Sequence, residues 1–314
     1  MPSKIQWTGR TWNPMVGCSK ISPACDHCYA ERMAFRLAHN PKAPIAYRVV
    51  TDAGTWNGQT ALVESVLATP LRWRKPCRVF VGSMTDLFHP TVPDEWLDRV
   101  FAVMALTPHI TYQVLTKRPE RMRRYMEGCQ RGASDIGGEF PWPNLWLGVT
   151  AENQARAEER IPVLLDTPAA VRFVSVEPML GAVDLREYIK GERWFTSDSP
   201  MYRWLDWVIC GGESGPGARP MHPEWARGLR DQCQEAGVPF FFKQWGEWGG
   251  LPYRLMAEKC VAVTLDGQTY SPDAAAFNGE SLPDGAVIRC RVGKKAAGRL
   301  LDGREWNEFP GVRV

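Results

Sequence analysis

Short runs of β-branched and aromatic residues recur along the chain, and each run stops at polar residues. Six such runs occupy residues 78–82, 111–115, 145–149, 171–176, 207–210 and 238–242. None of them alternates strictly between apolar and polar positions, which is typical of strands buried on both faces of a sheet. A further strand is expected ahead of Cys18. The pattern therefore predicts a parallel sheet of about seven strands.

Stretches with the apolar spacing of helices separate several of these runs. Three of them, residues 94–106, 153–165 and 223–236, are predicted to be helices. The third begins with Pro223, which suits the first turn of a helix. This alternation predicts an α/β fold, and the number of units favours a full or partial (β/α) barrel of the TIM type. A doubly wound open sheet is the alternative.

Two stretches fall outside this alternation. Residues 40–76 are rich in proline, glycine and tryptophan and are expected to form an insertion after the first helix. Residues 246–314 are expected to form a small C-terminal extension, with a hairpin at residues 261–270 and a basic helix near residues 294–301. The predicted division is a barrel over residues 1–245 followed by an extension over residues 246–314.

Polar residues that follow parallel strands meet at one edge of the sheet, where α/β proteins bind their ligands. Charged residues that follow apolar runs without being obvious helix caps are the candidate catalytic residues, and they are Glu177, Glu213 and Lys243. Gly211 and Gly212 follow another strand, where they are expected to let a ligand approach the backbone closely.

Composition and charge limit the classes of protein. The chain has 314 residues, of which 44% are hydrophobic and 23% charged, as in ordinary globular proteins. It has no apolar run long enough for a transmembrane helix and no secretory signal at its start, so a cytoplasmic location without membrane partners is expected. The net charge of +3 permits a nucleic-acid partner.

Three of the nine cysteines, Cys18, Cys25 and Cys28, fall close together near the N-terminus. An odd number of cysteines without an export signal predicts reduced thiols rather than disulfides. Three thiols on a loop that enters a helix predict a metal site. Zinc would need a fourth ligand, whereas three cysteines alone suit a 4Fe–4S cluster with one open iron.

The cysteine motif resembles that of the radical S-adenosylmethionine superfamily, in which an aromatic residue precedes the last of three clustered cysteines. His27 is that residue here, although the spacing between Cys18 and Cys25 is longer than the commonest one. The resemblance implies that Cys18, Cys25 and Cys28 hold a 4Fe–4S cluster whose fourth iron binds S-adenosylmethionine. An external electron donor would then drive cleavage to a 5′-deoxyadenosyl radical.

The same resemblance implies cofactor-binding residues. In that superfamily, polar residues after the second strand contact the methionine amino group, and residues beside the last cysteine can pack near the adenine. The implied positions are His27, Tyr29, Ser83, Thr85, Asp86, Gly211 and Gly212.

A closer resemblance, to a family of phage and prophage proteins, covers most of the chain. It rests on residues 12–18, 28–33, 115–119, 211–215 and 293–303. Some members of that family accompany pathways that modify thymine in phage DNA, which implies a radical isomerisation of a glycyl-thymine side chain inside a phage-infected or prophage-carrying bacterium. The alternatives are a radical enzyme acting on a tRNA, peptide or small metabolite, and a zinc module that binds nucleic acid without catalysis.

Basic and aromatic residues near the expected strand ends are candidates for contact with DNA. Cationic side chains after the second strand run would bind phosphates, and they are Lys117, Arg118, Arg121 and Arg124. Trp245 and Trp248 are expected to stack on a base.

Overall fold

Strands and helices alternate along the chain. The computed structural model describes residues 5–135, 139–189, 204–250, 259–272 and 282–311. In chain order, the strands are β1 (Arg10–Trp12), β2 (Met15–Val16), β3 (Thr51–Asp52), β4 (Thr55–Trp56), β5 (Ala61–Leu62), β6 (Cys77–Val81), β7 (Ile110–Thr116), β8 (Leu145–Thr150), β9 (Val171–Val176), β10 (Trp207–Gly211), β11 (Phe240–Gln244), β12 (Trp248–Gly249), β13 (Cys260–Val263), β14 (Thr269–Tyr270) and β15 (Val287–Arg291). The helices are α1 (Tyr29–Ala38), α2 (Ala46–Val49), α3 (Glu64–Leu67), α4 (Asp94–Ala105), α5 (Pro119–Asp135), α6 (Gln154–Asp166), α7 (Pro223–Ala236) and α8 (Lys294–Ala297).

Seven strands form the main sheet of this mixed α/β fold. Their hydrogen-bonded order is β1-β6-β7-β8-β9-β10-β11. The pairs β1·β6, β6·β7, β7·β8 and β10·β11 are parallel. The order follows the chain without the reversal that defines a doubly wound sheet, so the doubly wound alternative is wrong.

The predicted elements agree closely with the observed ones. The six predicted runs coincide with β6 to β11 within two residues, and β1 is the strand expected ahead of Cys18. Every residue of β8 and β10 is buried, which explains why the sequence lacks alternation there. The predicted helix at residues 223–236 is α7, which the His222 side chain caps at one end and the left-handed Gly237 ends at the other.

The chain divides into two units, residues 1–150 with 160–173, and residues 151–159 with 174–314. The predicted division at residue 245 therefore stays a prediction. In the first unit, the stretch at residues 40–76 forms α2, β3, β4, β5 and α3. It packs against α1 through a buried cluster that includes Ala34, Tyr47 and Val63, so the predicted insertion is part of that unit's core.

The second unit contains a small antiparallel sheet with the strand order β12-β15-β13-β14. β13 and β14 form the predicted hairpin. The predicted basic helix is shorter than expected, since α8 ends at Ala297, before Gly298 with its φ of 73°. Cys260 and Cys290 face each other on β13 and β15 and form a disulfide. The expectation of reduced thiols throughout is therefore wrong for this pair.

No helix within the described ranges combines the length and the apolar character needed to cross a lipid bilayer.

Two loops of the second unit approach each other closely at Gly246, so a methyl group added there is expected to destabilise the protein. Gly246 has a φ of 80°, and a Cβ atom there would stand 1.9 Å from the Glu213 carbonyl oxygen. We expect Gly246→Ala to lower the free energy of unfolding by about 3 kcal/mol, because both the backbone angle and the contact are unfavourable. Denaturant titration measures this difference.

Gly228→Ala is the matched control, because Gly228 lies inside α7 with nothing within 4 Å of an added Cβ atom. That substitution should raise stability by about 0.5–1 kcal/mol, since alanine favours helices. Equal stabilities of the two variants would contradict the described loop contact.

Candidate functional site

Three reduced cysteines occupy the loop between β2 and α1. Cys25 ends a 3-10 turn that begins with Pro23, and Cys28 immediately precedes the first residue of α1. Cys18, Cys25 and Cys28 are half-buried, and none of them is in a disulfide. The predicted arrangement of free thiols on a loop that enters a helix is confirmed, and His27 lies half-buried between the last two.

Asp86, which follows β6, joins the ends of two strands. Its side chain is buried and accepts four hydrogen bonds. Oδ1 accepts from Thr116 Oγ1 at 2.7 Å and from the Phe88 amide at 3.0 Å. Oδ2 accepts from the Lys117 amide at 3.1 Å and from Arg118 Nη1 at 2.9 Å. The carboxylate is thus fully satisfied by the chain itself.

Arg118 connects Asp86 to the cysteine loop. Besides the bond to Asp86, Nη1 lies 3.8 Å from Cys18 Sγ. Nη2 donates to the Ser19 carbonyl oxygen at 3.1 Å and to Ser19 Oγ at 3.0 Å. The planar guanidinium group presents several donors in fixed directions, so a single side chain can hold both residues of the loop.

His89 extends this network on the other side of Ser19. Its Nε2 lies 2.7 Å from Ser19 Oγ, and its Nδ1 lies 2.8 Å from Thr91 Oγ1. Burial, with a further contribution from the Arg118 charge, lowers the pKa of His89 to about 4. The imidazole is therefore neutral at pH 7 and acts as a hydrogen-bonding group rather than a cation.

Burial also governs Cys18. It raises the pKa of the Cys18 thiol to about 11, with a smaller contribution in the same direction from Asp86. The Arg118 guanidinium opposes that shift, because a nearby cation favours the thiolate. Electrostatic interaction with Cys28 makes a further, smaller contribution that raises the pKa of Cys18.

The remaining predicted cofactor residues of this unit fasten the cysteine loop to the end of β6. The Tyr29 hydroxyl donates to the Ser83 carbonyl oxygen at 2.9 Å. Ser83 Oγ donates to Asn13 Oδ1 at 3.0 Å, and Thr85 Oγ1 donates to the Gly17 carbonyl oxygen at 2.7 Å. The structure thus brings these residues together beside Cys18, with their hydroxyl groups bonded within the chain.

The three thiols of the loop are suitable ligands for a metal group, but their side chains are not positioned around one metal site. Three reduced thiols on one loop are the donors that zinc and iron–sulfur clusters require. Among the described residues, however, no group of three or more histidine, cysteine, aspartate or glutamate side chains is arranged to hold a metal ion. Bringing all three sulfur atoms around one metal group would require the loop to adjust.

A second group of predicted residues lies in the second unit. Glu177 follows β9, and its Oε1 accepts from Lys243 Nζ at 2.7 Å and from Gln244 Nε2 at 3.3 Å. The side chains of Glu177 and Lys243 are 16% and 15% exposed, so water screens this ion pair only partly. Within the described chain, Glu177 Oε2 has no hydrogen bond, which leaves that oxygen available to a ligand.

The predicted role of two glycines changes with the structure. A Cβ atom at Gly211 would stand 3.2 Å from Glu177 Cδ, and one at Gly212 would stand 2.2 Å from the Trp245 carbonyl oxygen. Both glycines therefore make room for the chain's own atoms. The structure gives them this packing function, and ligand contact at these positions stays a prediction.

Glu213 is the predicted catalytic residue most fully engaged by its surroundings. It is buried, and Arg219 binds both of its oxygens, with Nη2 at 2.7 Å from Oε1 and Nε at 2.9 Å from Oε2. The Arg219 amide also donates to Oε2 at 2.8 Å. This bidentate pair holds the loop after β10 in place, which favours a structural role.

Lys294 is a neighbour of this group that sequence reasoning did not select as a site residue. Burial lowers the pKa of Lys294, and the charge of Lys243 lowers it further, whereas Glu177 and Glu247 oppose the shift. The sequence places Lys294 far beyond the strand ends, at the start of α8. Only the fold of the second unit brings it within electrostatic range of Glu177.

One comparison with known proteins assigns the chain to a family. A family model described as "Protein of unknown function (DUF5131)" matches residues 2–310. The chain belongs to the DUF5131 family. No curated protein and no solved structure matches it.

In this DUF5131 chain, two of the basic residues predicted to bind phosphates are engaged internally. Arg118 pairs with Asp86, and Arg121 donates to the carbonyl oxygens of His89 and Val92 and pairs with Asp94 at 2.9 Å. Lys117 is half-buried. Arg124 is exposed and has no ion pair among the described residues. Phosphate contact by this group stays a prediction, with Arg124 as its most accessible member.

The two tryptophans expected to stack on a base are buried instead. Trp245 Nε1 donates to the Leu300 carbonyl oxygen at 2.8 Å, and the Arg289 guanidinium lies 4.7 Å from its ring centre. Trp248 Nε1 donates to the Ala218 carbonyl oxygen at 2.7 Å. These contacts place both rings in the core of the second unit, so the stacking prediction is wrong as stated.

The Asp86–Arg118 pair predicts a large loss of stability for one substitution. Asp86→Ala would leave the mostly buried Arg118 without its counter-ion, which typically costs about 3–5 kcal/mol. Asp94→Ala is the control, because Asp94 pairs with Arg121 but is 72% exposed. The control should lose less than about 1 kcal/mol. Denaturant titration of both variants decides the matter, and equal small losses would show that the Asp86 network contributes little.

The Glu177–Lys243 pair predicts measurable coupling. A double-mutant cycle with Glu177→Gln and Lys243→Met should give an interaction energy of about 1–3 kcal/mol, because the pair is shielded from water. The exposed Glu64–Arg99 pair serves as the comparison and should show no measurable coupling. Additive effects at residues 177 and 243 would be inconsistent with the described ion pair.

Proposed function

We propose that the chain is a radical S-adenosylmethionine enzyme whose Cys18, Cys25 and Cys28 hold a 4Fe–4S cluster. The observation that carries the proposal is the presence of three reduced cysteines on one loop, with no fourth cysteine in that loop. The order of the main strands supports the proposal, because the strands of a partial (β/α) barrel lie side by side in the same order as along the chain. The resemblance to the radical S-adenosylmethionine superfamily agrees with the proposal and rests on the same three cysteines together with His27.

The chemistry would come from the cofactors, and the protein would position and shield them. A cluster with bound S-adenosylmethionine would supply one-electron reductive cleavage of the sulfonium, with the electron taken from an external donor, and so provide the radical chemistry for hydrogen abstraction from the substrate. Arg118 would fix Cys18 and direct positive charge toward its sulfur. Asp86 would keep that guanidinium in place. Thr85 would hold the start of the loop through the Gly17 carbonyl oxygen, and the Ser83 carbonyl oxygen would hold Tyr29 at the start of α1.

The substrate we propose is a modified thymine in phage DNA, with isomerisation of its side chain as the reaction. This part rests on the resemblance to phage and prophage proteins. A base within a duplex would have to leave the stack to reach a shielded radical. The enzyme would work in the cytoplasm of the bacterial host and receive its electron from an external donor. Glu177 and Lys243 are the proposed catalytic residues for contact with the substrate.

Anaerobic reconstitution with iron and sulfide tests the proposal. The wild-type chain should bind about four iron atoms per molecule and show visible iron–sulfur absorbance. Cys25→Ala should lose most of that iron, because one of only three protein ligands is gone. Cys77→Ala and Cys129→Ala are controls with half-buried free thiols outside the loop, and both should retain full iron content.

A colourless wild-type protein that carries one zinc ion after anaerobic reconstitution would overturn the radical proposal. It would favour the alternative of a zinc module that binds nucleic acid. Full iron content in Cys25→Ala would show instead that the ligands are assigned wrongly.

A further inference from the structure

A second basic region lies in the first unit, away from α5. The segment Arg72-Trp73-Arg74-Lys75-Pro76-Cys77-Arg78 has four cationic residues in seven positions and no acidic residue. It runs from the end of a 3-10 turn, Thr69–Arg72, into β6. Its cationic side chains therefore sit at the amino end of that strand.

A neighbouring strand adds a further cation to this region. β1 and β6 are parallel and paired, and the Gly9 amide donates to the Arg78 carbonyl oxygen at 3.1 Å. This pairing brings Arg10 beside the segment, with its guanidinium carbon 4.9 Å from the centre of the Trp73 ring. We call Arg10, Arg72, Arg74 and Lys75 the amino-end basic surface.

The segment that carries this surface is held in place by the backbone around it. The Trp73 carbonyl oxygen lies 2.8 Å from His109 Nε2, just ahead of β7, and the Trp73 amide bonds to the Pro70 carbonyl oxygen at 3.0 Å. Anchoring at both points fixes the backbone from which Arg72 and Arg74 project. Little backbone ordering would be needed when a ligand binds, which favours affinity.

Three cations of this surface have no carboxylate counter-ion among the described residues. Arg72, Arg74 and Lys75 are exposed, and they form no ion pair with any described residue. Elsewhere in the same unit, by contrast, Arg99 and Arg118 each pair with a carboxylate. A concentration of unpaired cations on one rigid segment attracts polyanions.

We propose that the amino-end basic surface binds the phosphodiester backbone of a nucleic acid, independently of its sequence. Guanidinium groups match the geometry of phosphate oxygens and bind them in bidentate fashion, while lysine adds a mobile point charge. Four cations within one short stretch of surface would contact several successive phosphates. Such contacts supply affinity and register without reading bases.

The position of the surface separates it from the cysteine loop. Cys77 begins β6 and Asp86 follows its other end, so the strand alone spans about 16 Å between the two regions. The surface would therefore anchor a nucleic acid outside the cysteine site. This inference does not depend on the proposed radical chemistry, because no cofactor takes part in it.

Fluorescence anisotropy with a labelled DNA oligonucleotide, single-stranded and as a duplex, tests the inference. The full chain is used without reconstitution, both as wild type and as Cys25→Ala, so that failure of the cluster proposal leaves the measurement unaffected. The variant combines Arg72→Gln, Arg74→Gln and Lys75→Gln. The matched control combines Arg36→Gln, Lys42→Gln and Arg48→Gln, which removes the same charge from other exposed positions of the unit.

We expect the surface variant to lose at least about tenfold in affinity at low salt, and the control to change by less than about twofold. The dependence of log K on log salt for duplex DNA should flatten by about 0.9 for each phosphate that the variant no longer neutralises. Unchanged melting temperatures establish that both variants are folded.

Three outcomes would overturn the inference. Equal losses in the two variants would mean that only net charge matters, and a loss confined to the control would move phosphate binding to the positions changed in the control. Binding to vesicles containing phosphatidylserine but not to either DNA would indicate an anionic membrane surface instead.

Discussion

The buried ion pair between Asp86 and Arg118 is the interaction on which the cysteine loop depends. Desolvation makes a buried carboxylate costly unless its oxygens are bonded, and Asp86 meets this condition with four donors from the ends of two strands. The guanidinium that completes the set also holds Ser19 and touches Cys18. Arg118, 100 positions further along the chain, therefore helps to fix the position of the first cysteine. Replacing Arg118 would remove that contact, and replacing Asp86 would remove the carboxylate that holds Arg118.

In the second unit, too, carboxylates that follow strands are paired with cations, but the two pairs there differ in how many carboxylate oxygens are bonded. Glu213 and Glu177 both follow strands, and each is paired with a cation of the same unit. Arg219 occupies both oxygens of Glu213, whereas Lys243 and Gln244 share one oxygen of Glu177. The Glu213–Arg219 pair therefore holds a loop in place. The Glu177–Lys243 pair leaves one carboxylate oxygen of Glu177 without a hydrogen bond in the described chain, beside an ion pair that water screens only partly. The second arrangement is the more suitable one for binding a ligand.

The sequence predicts the fold well and the site only in part, for a physical reason. Strand and helix positions depend on local patterns of burial, and β6 to β11 all stand where those patterns place them. The partners of individual side chains depend on contacts between distant segments. Arg118 and Trp245 are of residue types suited to DNA contact. In the structure, however, Arg118 pairs with the buried carboxylate of Asp86, and Trp245 donates to a carbonyl oxygen. No local pattern distinguishes a cation that faces solvent from one with a buried partner. Lys294 is a further case, because its electrostatic interaction with Glu177 depends on the fold of the second unit.

The disulfide between Cys260 and Cys290 turns part of the second unit into a covalent ring. Its two ends lie 30 positions apart on β13 and β15. A strand with one face packed can slip only by turning all its side chains over, and a fixed bond at one matched pair forbids the slip altogether. The ring also changes what a protease can achieve, because a single cut between the two cysteines leaves both pieces attached to one another. The disulfide thus provides a second covalent connection between β13 and β15, in addition to the peptide chain.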